Sequence, residues 1–363
     1  MPQLPRPVET ADEPDLQVLP FSSYAMIIDA RTETEFQEDH VPGAVNLPVV
    51  DQPEFAEVGT LHKSDTHAAY MIGVAYAMRR MADHVERVIK DVSPDERILV
   101  YCFRGGKRSK LWADNLRTIG FRVDTIKGGW KNYRRWVMAG LDKLVPSFEF
   151  RVIAGPTGAG KTRLLKALEA EGAQVLDLEG LASHRGSLIG AVPGVKQPSQ
   201  KYFDTLVYDR LRSFAPAKVV WVEAESKRIG AVQLSQGLFE AIHDAPIIRV
   251  MAPMAERVKL WREDYAHFEA DLPSMVALLA KLAPLVGNEE MTLWQRLATE
   301  GQAAELFERL MTHHYDLAYA RSSRKNHVDF DAAQVLELES LDEPTLRASA
   351  RRLIADHQKS TRR

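Results

Sequence analysis

The only cysteine of this 363-residue chain, Cys102, lies in the segment YCFRGGKRSKL. A buried strand is predicted before it, and a helix is predicted to begin near Ser109. Backbone amides and the positive end of the helix dipole would then stabilise negative charge on the sulfur. The loop adds two glycines and three cations: Gly105, Gly106, Arg104, Lys107 and Arg108. These residue types predict a thiolate or a persulfide-like anion, whereas the alternative is an inert thiol buried after a strand.

A second motif, GPTGAGKT at 155–162, matches G-x-x-x-x-G-K-[ST] at every fixed position, after a predicted strand and before a predicted helix. Its amides would converge on phosphate oxygens at the helix N-terminus, with a positive charge from Lys161 and a hydroxyl from Thr162 for magnesium. The residues predicted to bind a diphosphate are Gly155, Thr157, Gly158, Ala159, Gly160, Lys161 and Thr162. The pattern does not distinguish a nucleoside triphosphate from another diphosphate ester, and no motif for adenine or guanine accompanies it.

Two further segments place polar residues where parallel strands are predicted to end. The strand VVWVE ends in Glu223, which could hold magnesium together with Thr162; the alternative is a carboxylate that faces solvent. The loop EGLASHRGSLIG follows the preceding strand, where ligands bind in α/β sheets. Candidate contacts to substrate or magnesium are Glu179, His184, Arg185, Glu223, Glu225 and Arg228. A loop histidine such as His184 is more often merely solvated.

Strands alternate with helices along most of the chain, which predicts an α/β protein with two parallel-sheet domains. We expect a first domain at 1–141, a linker at 142–148, a P-loop domain at 149–330 and a basic helical tail at 331–363. The stretch 67–90 predicts one long helix. Beyond residue 254 the pattern is mostly helical, with one extended candidate, HVDF, at 327–330.

Composition indicates a soluble globular protein, with 45% apolar residues, 27% charged residues and a net charge of −3. The segment MPQLPRPVETADEPD lacks the features of a leader, no window approaches a membrane span, and one cysteine cannot form an internal disulfide. A cytoplasmic protein without membrane attachment is therefore expected. No stretch of the sequence demands a partner chain, so we expect a monomer. Residues 101–135 hold ten Lys or Arg against two acids, a local charge of +8 that suits a polyanion or else a solvated helix face.

The motif CFRGGKR at 102–108 resembles the active-site loop of rhodanese-type chalcogen transferases. The earlier IIDARTETEFQEDHVPGAVNLP resembles their N-terminal signature, in which Asp29, His40, Pro42 and Gly43 shape the fold. With the P-loop, LEGLASHRGSLIG and VEAESKRIG added, the chain resembles the tRNA 2-selenouridine synthase family from about residue 10 to 330. Phe103 stands where we expect Trp and Lys107 where we expect an apolar residue; both leave the anion-binding geometry intact.

This resemblance implies a tRNA carrying 2-thiouridine at the wobble position, geranylation of its sulfur by geranyl diphosphate, and exchange for selenium from selenophosphate. It implies no tightly bound cofactor, with magnesium as an optional ion. The P-loop would hold the diphosphate, and Cys102 would accept selenium as a Cys-S-Se anion that attacks C2 of the base. Residues 101–135 and the basic stretch 347–363, with six Lys or Arg against one acid, would contact tRNA phosphates.

Three other functions remain open on the residues alone. The first is a rhodanese-type sulfurtransferase with an ATP-dependent regulatory P-loop domain. The second is a tRNA-binding or sulfur-carrier module whose P-loop no longer turns over. The third is a small-molecule kinase with a rhodanese appendage, which the missing nucleotide-base motif disfavours.

Overall fold

The computed structural model describes residues 16–326 and 330–360, and it divides the chain into two compact units. Unit 1 comprises Met1–Leu144 with Pro198–Phe214, and unit 2 comprises Val145–Gln197 with Ala215–Arg363. Each unit contains a parallel sheet flanked by helices, which confirms the predicted α/β class. The N-terminal segment MPQLPRPVETADEPD lies outside the described residues.

Unit 1 has a four-stranded parallel sheet in the order β2-β1-β3-β4. Its strands are β1 (Met26–Asp29), β2 (Val45–Asn46), β3 (Arg97–Tyr101) and β4 (Arg122–Thr125). Its helices are α1 (Glu33–Glu38), α2 (Gln52–Leu61), α3 (Thr66–Arg87), α4 (Lys107–Thr118), α5 (Gly129–Leu144) and α8 (Gln200–Arg212), with 3-10 turns at Phe21–Ser23 and Ile89–Asp91. Helix α3 confirms the long helix predicted at 67–90, and β3 is almost wholly buried, as its apolar run predicts.

Unit 2 has a five-stranded parallel sheet in the order β11-β10-β5-β7-β6, with β5 at the centre. These strands are β5 (Phe150–Ala154), β6 (Gln174–Leu176), β7 (Val220–Glu223), β10 (Ile247–Met251) and β11 (Gln334–Glu337); β8 (Arg228–Ile229) and β9 (Val232–Gln233) form a separate antiparallel hairpin. Because the carboxyl ends of parallel strands meet at one edge, the loops after β5, β6 and β7 lie side by side.

The helices of unit 2 come before and after α8 in the chain order. They are α6 (Lys161–Ala170), α7 (Leu178–Ala182), α9 (Gln236–His243), α10 (Met254–Asp264), α11 (Ala266–Glu269), α12 (Leu272–Leu279), α13 (Ala283–Val286), α14 (Asn288–Thr299), α15 (Ala303–Leu310), α16 (Asp316–Asn326) and α17 (Glu343–Ser360). A π-helical turn, Met311–Tyr315, joins α15 to α16, and 3-10 turns occur at Val145–Ser147, Ala280–Leu282 and Phe330–Ala332. None of the helices in 16–326 or 330–360 is long and apolar enough to cross a membrane.

The chain segment 198–214 differs from the predicted domain boundaries. It lies between β6 and β7 in the sequence, yet its helix α8 packs against α5 in unit 1. Asp204 forms an ion pair with Arg134 of α5, and the Tyr208 ring lies 4.7 Å from the Trp136 ring. The buried face of α8 is therefore completed by unit 1, which periodicity along the helix cannot reveal.

The C-terminal region 331–363 also differs from the separate tail that we expected. Of the extended candidate HVDF, residues 327–329 lie outside the described part, and Phe330 begins a 3-10 turn. The strand of this region is β11, which lies further along the chain. β11 pairs with β10, and α17 packs on α6. Leu336, Leu346 and Leu353 are buried in the same core as Leu164 of α6, so residues 330–360 form an integral layer of unit 2.

Candidate active sites

Cys102 follows β3 directly and is only 3% exposed. The Gly106 amide donates a hydrogen bond to its sulfur at 3.2 Å, and the Ser109 hydroxyl lies 3.2 Å from the same sulfur. Gly106 is the N-cap residue of α4, which begins two residues before the predicted start. The sulfur therefore lies at the N-terminus of a twelve-residue helix, the end that carries the positive pole of the helix dipole.

Two of the three cations in this loop contact groups other than the sulfur, whereas the sequence predicted that all three would stabilise its charge. Arg108 forms an ion pair with Glu35 at 2.5 Å, and Lys107 lies 3.1 Å from the centre of the Tyr70 ring. Burial acts to raise the pKa of Glu35, but the hydrogen bonds from Arg108 outweigh it, so that the pKa falls. Arg104 is exposed at the tip of the loop, where a ligand can reach it.

A glycine pair at the start of α5, which we did not predict as part of the site, supports the cysteine loop. Gly129 has a φ of +60°, and a Cβ there would lie 2.2 Å from the carbonyl oxygen of Cys102. The next amide, that of Trp130, donates to the same carbonyl at 2.8 Å. The GG pair in KGGW, directly after a predicted strand, was the available signal, because a double glycine at a turn marks a close backbone approach.

Asp39 is a buried carboxylate that connects the start of α5 to helix α8 through hydrogen bonds. One of its oxygens accepts a hydrogen bond from the Trp130 indole at 2.8 Å and the other accepts from the Thr205 hydroxyl at 2.8 Å. Burial raises the pKa of Asp39 to about 6, although both hydrogen bonds and Arg134 act to lower it. Asp39 therefore positions the segment that holds Cys102, and nothing in its sequence context predicts this.

The signature residues on either side of Asp39 have structural positions, as we expected. Asp29 forms a buried ion pair with Arg31 at 2.6 Å, and Arg31 also donates to the Asp39 carbonyl. The His40 ring stacks between the rings of Phe36 and Tyr202, at 3.8 Å and 4.1 Å. Pro42 and Gly43 form the turn that precedes β2.

In unit 2, the GPTGAGKT segment joins β5 to α6, with Gly160 as the N-cap residue in the left-handed conformation. The Lys161 side chain is 14% exposed, and its ammonium lies 3.4 Å from a carboxylate oxygen of Glu223. Burial acts to lower the pKa of Lys161, but the charge of Glu223 and its neighbours raises it overall. The Thr162 hydroxyl donates to Glu223 at 2.9 Å. The predicted pairing of Thr162 with Glu223 is thus present in the geometry.

Glu179, Glu223 and Glu225 bring carboxylate oxygens within 4.8 Å of one another. Burial, followed by repulsion from Glu223 and Glu225, raises the pKa of Glu179 to about 10. Burial, followed by repulsion from Glu223, raises the pKa of Glu225 to about 8. Gly186 closes this cluster, because a Cβ there would lie 3.0 Å from the carboxylates of Glu179 and Glu225. Such a concentration of oxygen ligands fits a hard divalent cation such as magnesium.

The other predicted contacts divide into two groups. His184 and Arg185 lie in the loop beside the carboxylate cluster. The His184 Nδ1 atom is buried and has no hydrogen-bond partner among the described residues, while Arg185 donates to the Asp264 carbonyl and lies over the Tyr265 ring. Arg228 is exposed and donates to the Gly230 carbonyl within the β8–β9 hairpin, so the structure leaves it outside the cluster.

Arg257 is a buried residue of α10 that we did not predict, and it donates hydrogen bonds to the backbone of the phosphate loop. Its guanidinium donates twice to the Thr157 carbonyl, at 2.9 and 2.7 Å, and forms an ion pair with Asp316 at 2.6 Å. This residue lies far along the chain from the motif, in a helix with ordinary composition. No pattern in a single sequence would have selected it.

Two family models match the parts of the chain that contain the two sites. The family model for a rhodanese-like domain matches residues 15–135, and the model described as the tRNA 2-selenouridine synthase AAA domain matches residues 148–276. The tRNA 2-selenouridine synthase of Nitrosomonas europaea is 33% identical over 300 residues, which cover 81% of this chain and 76% of that protein. This chain belongs to the tRNA 2-selenouridine synthase family.

Other synthases of the family match a similar part of the chain. The relative from Bdellovibrio bacteriovorus is 30% identical over a segment that covers 80% of this chain and 74% of its own length. The relative from Aeromonas salmonicida is 36% identical over a segment that covers 66% of this chain and 65% of its own length. The resemblance inferred from CFRGGKR and GPTGAGKT is thereby confirmed at the level of the family. The match to the synthase AAA domain, residues 148–276, includes the segment 198–214, and this segment packs in unit 1.

Proposed function

We propose that this protein is a transferase that converts 2-thiouridine at the wobble position of tRNA to 2-selenouridine in two steps. The relatives that share most of its length are named tRNA 2-selenouridine synthases. The observation that carries the proposal is that one chain holds two different anion sites: a thiol at a helix N-terminus and a P-loop faced by carboxylates. One site suits a nucleophile, and the other suits a leaving diphosphate.

In the first step, the 2-thiouridine sulfur attacks C1 of geranyl diphosphate. A carbon–sulfur bond forms, the carbon–oxygen bond breaks, the diphosphate takes the electron pair, and the base releases its N3 proton to solvent. The amides of 155–162 and the Lys161 ammonium would stabilise the charge that develops on the diphosphate. Since Lys161 rests against Glu223 at 3.4 Å, the arriving phosphate would compete with that carboxylate for it.

Magnesium would be held by the Thr162 hydroxyl and Glu223, with Glu179 and Glu225 close enough to add oxygen ligands. The donor set fits, because it is made only of carboxylates and a hydroxyl. When bound, the ion would neutralise part of the charge on the leaving diphosphate. Burial and repulsion among these carboxylates raise the pKa values of Glu179 and Glu225, and a bound cation would relieve that repulsion.

The electron count of the second step disfavours the Cys-S-Se anion. Selenium in selenophosphate is already at the selenide level, so bonding it to the Cys102 sulfur would require an oxidant. A route in which the bonds form and break at C2 of the base balances in electrons without an oxidant. The Cys102 thiolate attacks C2 of the S-geranylated base and geranylthiolate leaves; the selenium of selenophosphate then attacks C2 and Cys102 leaves. Water finally cleaves the selenium–phosphorus bond, which gives 2-selenouridine and phosphate.

The test is mass spectrometry of nucleosides from 2-thiouridine tRNA incubated with the protein, geranyl diphosphate and selenophosphate, each donor omitted in turn. S-geranyl-2-thiouridine without selenophosphate, and 2-selenouridine with both donors, are the expected products. Unchanged 2-thiouridine in every arm, from folded protein, would reject the proposal. Sulfur transfer from thiosulfate that depends on ATP would instead support the regulated sulfurtransferase.

A further inference from the structure

Helix α3 carries an exposed apolar strip that neither catalytic step uses. Tyr70, Met71, Val74 and Met78 lie on one face of the helix, since residues three or four apart are neighbours. Met71 and Met78 are 62% and 63% exposed, and the other two are also exposed. We call these four residues the α3 strip. Exposed apolar side chains that are contiguous mark a binding surface, whereas single ones need no explanation.

The α3 strip ends at the loop that carries Cys102. Lys107, the first residue of α4, lies 3.1 Å from the centre of the Tyr70 ring. The next residue, Arg108, lies over the exposed Phe55 ring at 5.0 Å. One residue before Lys107, the Gly106 amide is hydrogen-bonded to the Cys102 sulfur. The first turn of α4 therefore contacts the sulfur on one side and the apolar strip on the other.

These features describe a ligand with an apolar chain at one end and negative charge at the other. Lys107 and Arg104 provide positive charge at the Tyr70 end of the strip, beside the loop of Cys102. From residue 70 to residue 78 the helix rises about 12 Å, which is the scale of a small chain. A stable protein interface needs roughly 800 Å² on each partner, more than four half-exposed side chains provide. The two methionines suit a flexible aliphatic chain, because their side chains adapt their shape.

We propose that the α3 strip binds the apolar chain of the S-alkylated uridine while C2 of that base lies at Cys102. This inference rests on the proposed function and extends it to the substrate of the second step. The strip would hold the geranyl group beside the sulfur and would receive the departing geranylthiol. It would make the selenium-transfer site selective for a long alkyl group over a short one.

The experiment compares two anticodon stem-loop RNAs, one carrying S-geranyl-2-thiouridine and the other S-ethyl-2-thiouridine, by fluorescence anisotropy without selenophosphate. The wild-type protein should bind the geranyl RNA on the order of tenfold more tightly. Met71→Gln with Met78→Gln should abolish that preference and leave the S-ethyl affinity unchanged. The matched control is Leu278→Gln with Leu285→Gln, which removes two exposed apolar side chains of unit 2 and should keep the preference.

Three outcomes would overturn the assignment: equal wild-type affinity for the two RNAs, a preference that survives in the methionine variant, or an equal loss of affinity for both RNAs. The last outcome would mark the strip as a general RNA-binding or structural surface. Selenium exchange on the same geranyl RNA is measured separately. If exchange fails while the methionine-dependent preference holds, the proposed function is wrong and the alkyl-chain site stands.

Discussion

At the scale of single residues, the two predicted chemical groups have different surroundings. The Cys102 sulfur lies beside an amide and a hydroxyl, whereas the Lys161 ammonium lies 3.4 Å from a carboxylate oxygen. In the proposed mechanism each group serves a separate step, so each step should fail separately.

Cys102→Ser should lower selenium incorporation by at least about a hundredfold and spare geranyl transfer, because serine retains the shape but is a far poorer nucleophile. Lys161→Ala should lower geranyl transfer by roughly a hundredfold, since it removes one positive charge that stabilises the leaving diphosphate. Nucleoside mass spectrometry, started from 2-thiouridine RNA or from S-geranyl RNA, separates the steps. Normal selenation of S-geranyl RNA by Cys102→Ser would remove the thiol from the mechanism.

The buried carboxyl group of Asp39 leads to a prediction about how the free energy of unfolding depends on pH. Its pKa of about 6 in the folded chain exceeds the usual value of 3.8, because burial outweighs Thr205, Trp130, Arg134 and Arg31. The native state thus binds the proton more tightly, and the stability that this contributes is complete below about pH 4 and lost as the pH rises to about 6. Relative to Asp39→Asn, the wild type should lose at most about 3 kcal/mol of unfolding free energy over this interval. Urea titrations at several pH values measure it; a pH-independent difference would contradict the shift.

At the scale of elements, helix α8 contributes the most unexpected packing. Its Tyr208 ring lies over Gly140 of α5, where a Cβ would come within 2.2 Å of the ring. The Thr205 hydroxyl of the same helix is bonded to Asp39, and Asp39 is bonded to Trp130 beside the cysteine loop. The packing of α8 on α5 should therefore be a condition for an ordered unit 1.

Gly140→Ala should destabilise unit 1 by about 1–3 kcal/mol, because the added methyl group overpacks the contact with Tyr208. At about 2–4 °C for each kcal/mol, the unfolding midpoint should fall by several degrees. Gly59→Ala in α2 is the matched control, since a Cβ there meets nothing within 4 Å and alanine favours helix by up to about 1 kcal/mol. Calorimetry that shows equal midpoints for both variants would contradict the packing.

At the scale of the whole molecule, charge is the property that bears on RNA. The segment 101–135 carries the local excess of +8, and Arg104, Lys110 and Lys131 are among its exposed cations. The second predicted RNA surface, on α17, differs: Arg347 and Arg351 both pair with Glu171 and fasten the helix to the rest of unit 2. Paired cations have less charge to offer a phosphate, so segment 101–135 should dominate RNA binding.

Salt dependence distinguishes the two surfaces. Replacing Arg104, Lys110 and Lys131 by alanine should lower the slope of log affinity against log salt by about 0.7–0.9 for each phosphate that the variant no longer neutralises. The control, alanine at positions 351, 352 and 359 of α17, removes as many positive charges and should leave the slope unchanged. Anisotropy with unmodified tRNA at several salt concentrations gives both slopes. Equal slopes for the first variant and the wild type would reject this surface.

Local patterns were sufficient for the chemistry that is compact in sequence. Cys102 at the end of a strand, GPTGAGKT between a strand and a helix, and Glu223 at the end of the neighbouring strand could all be predicted from residue type and spacing. The sheet class and the long helix α3 followed from periodicity in the same way. Each of these features is decided within about twenty residues, where hydrophobic period and turn chemistry operate.

Tertiary structure decided which distant groups meet. Helix α8 has the composition of any amphipathic helix, and only packing assigns it to unit 1. β11 has a single buried residue, which is too weak a pattern to identify a strand. Asp39 and Arg257 acquire their positions from partners far along the chain. The physical reason is that burial and hydrogen bonding depend on non-local surfaces, whereas a sequence states directly only the residues that are neighbours along it.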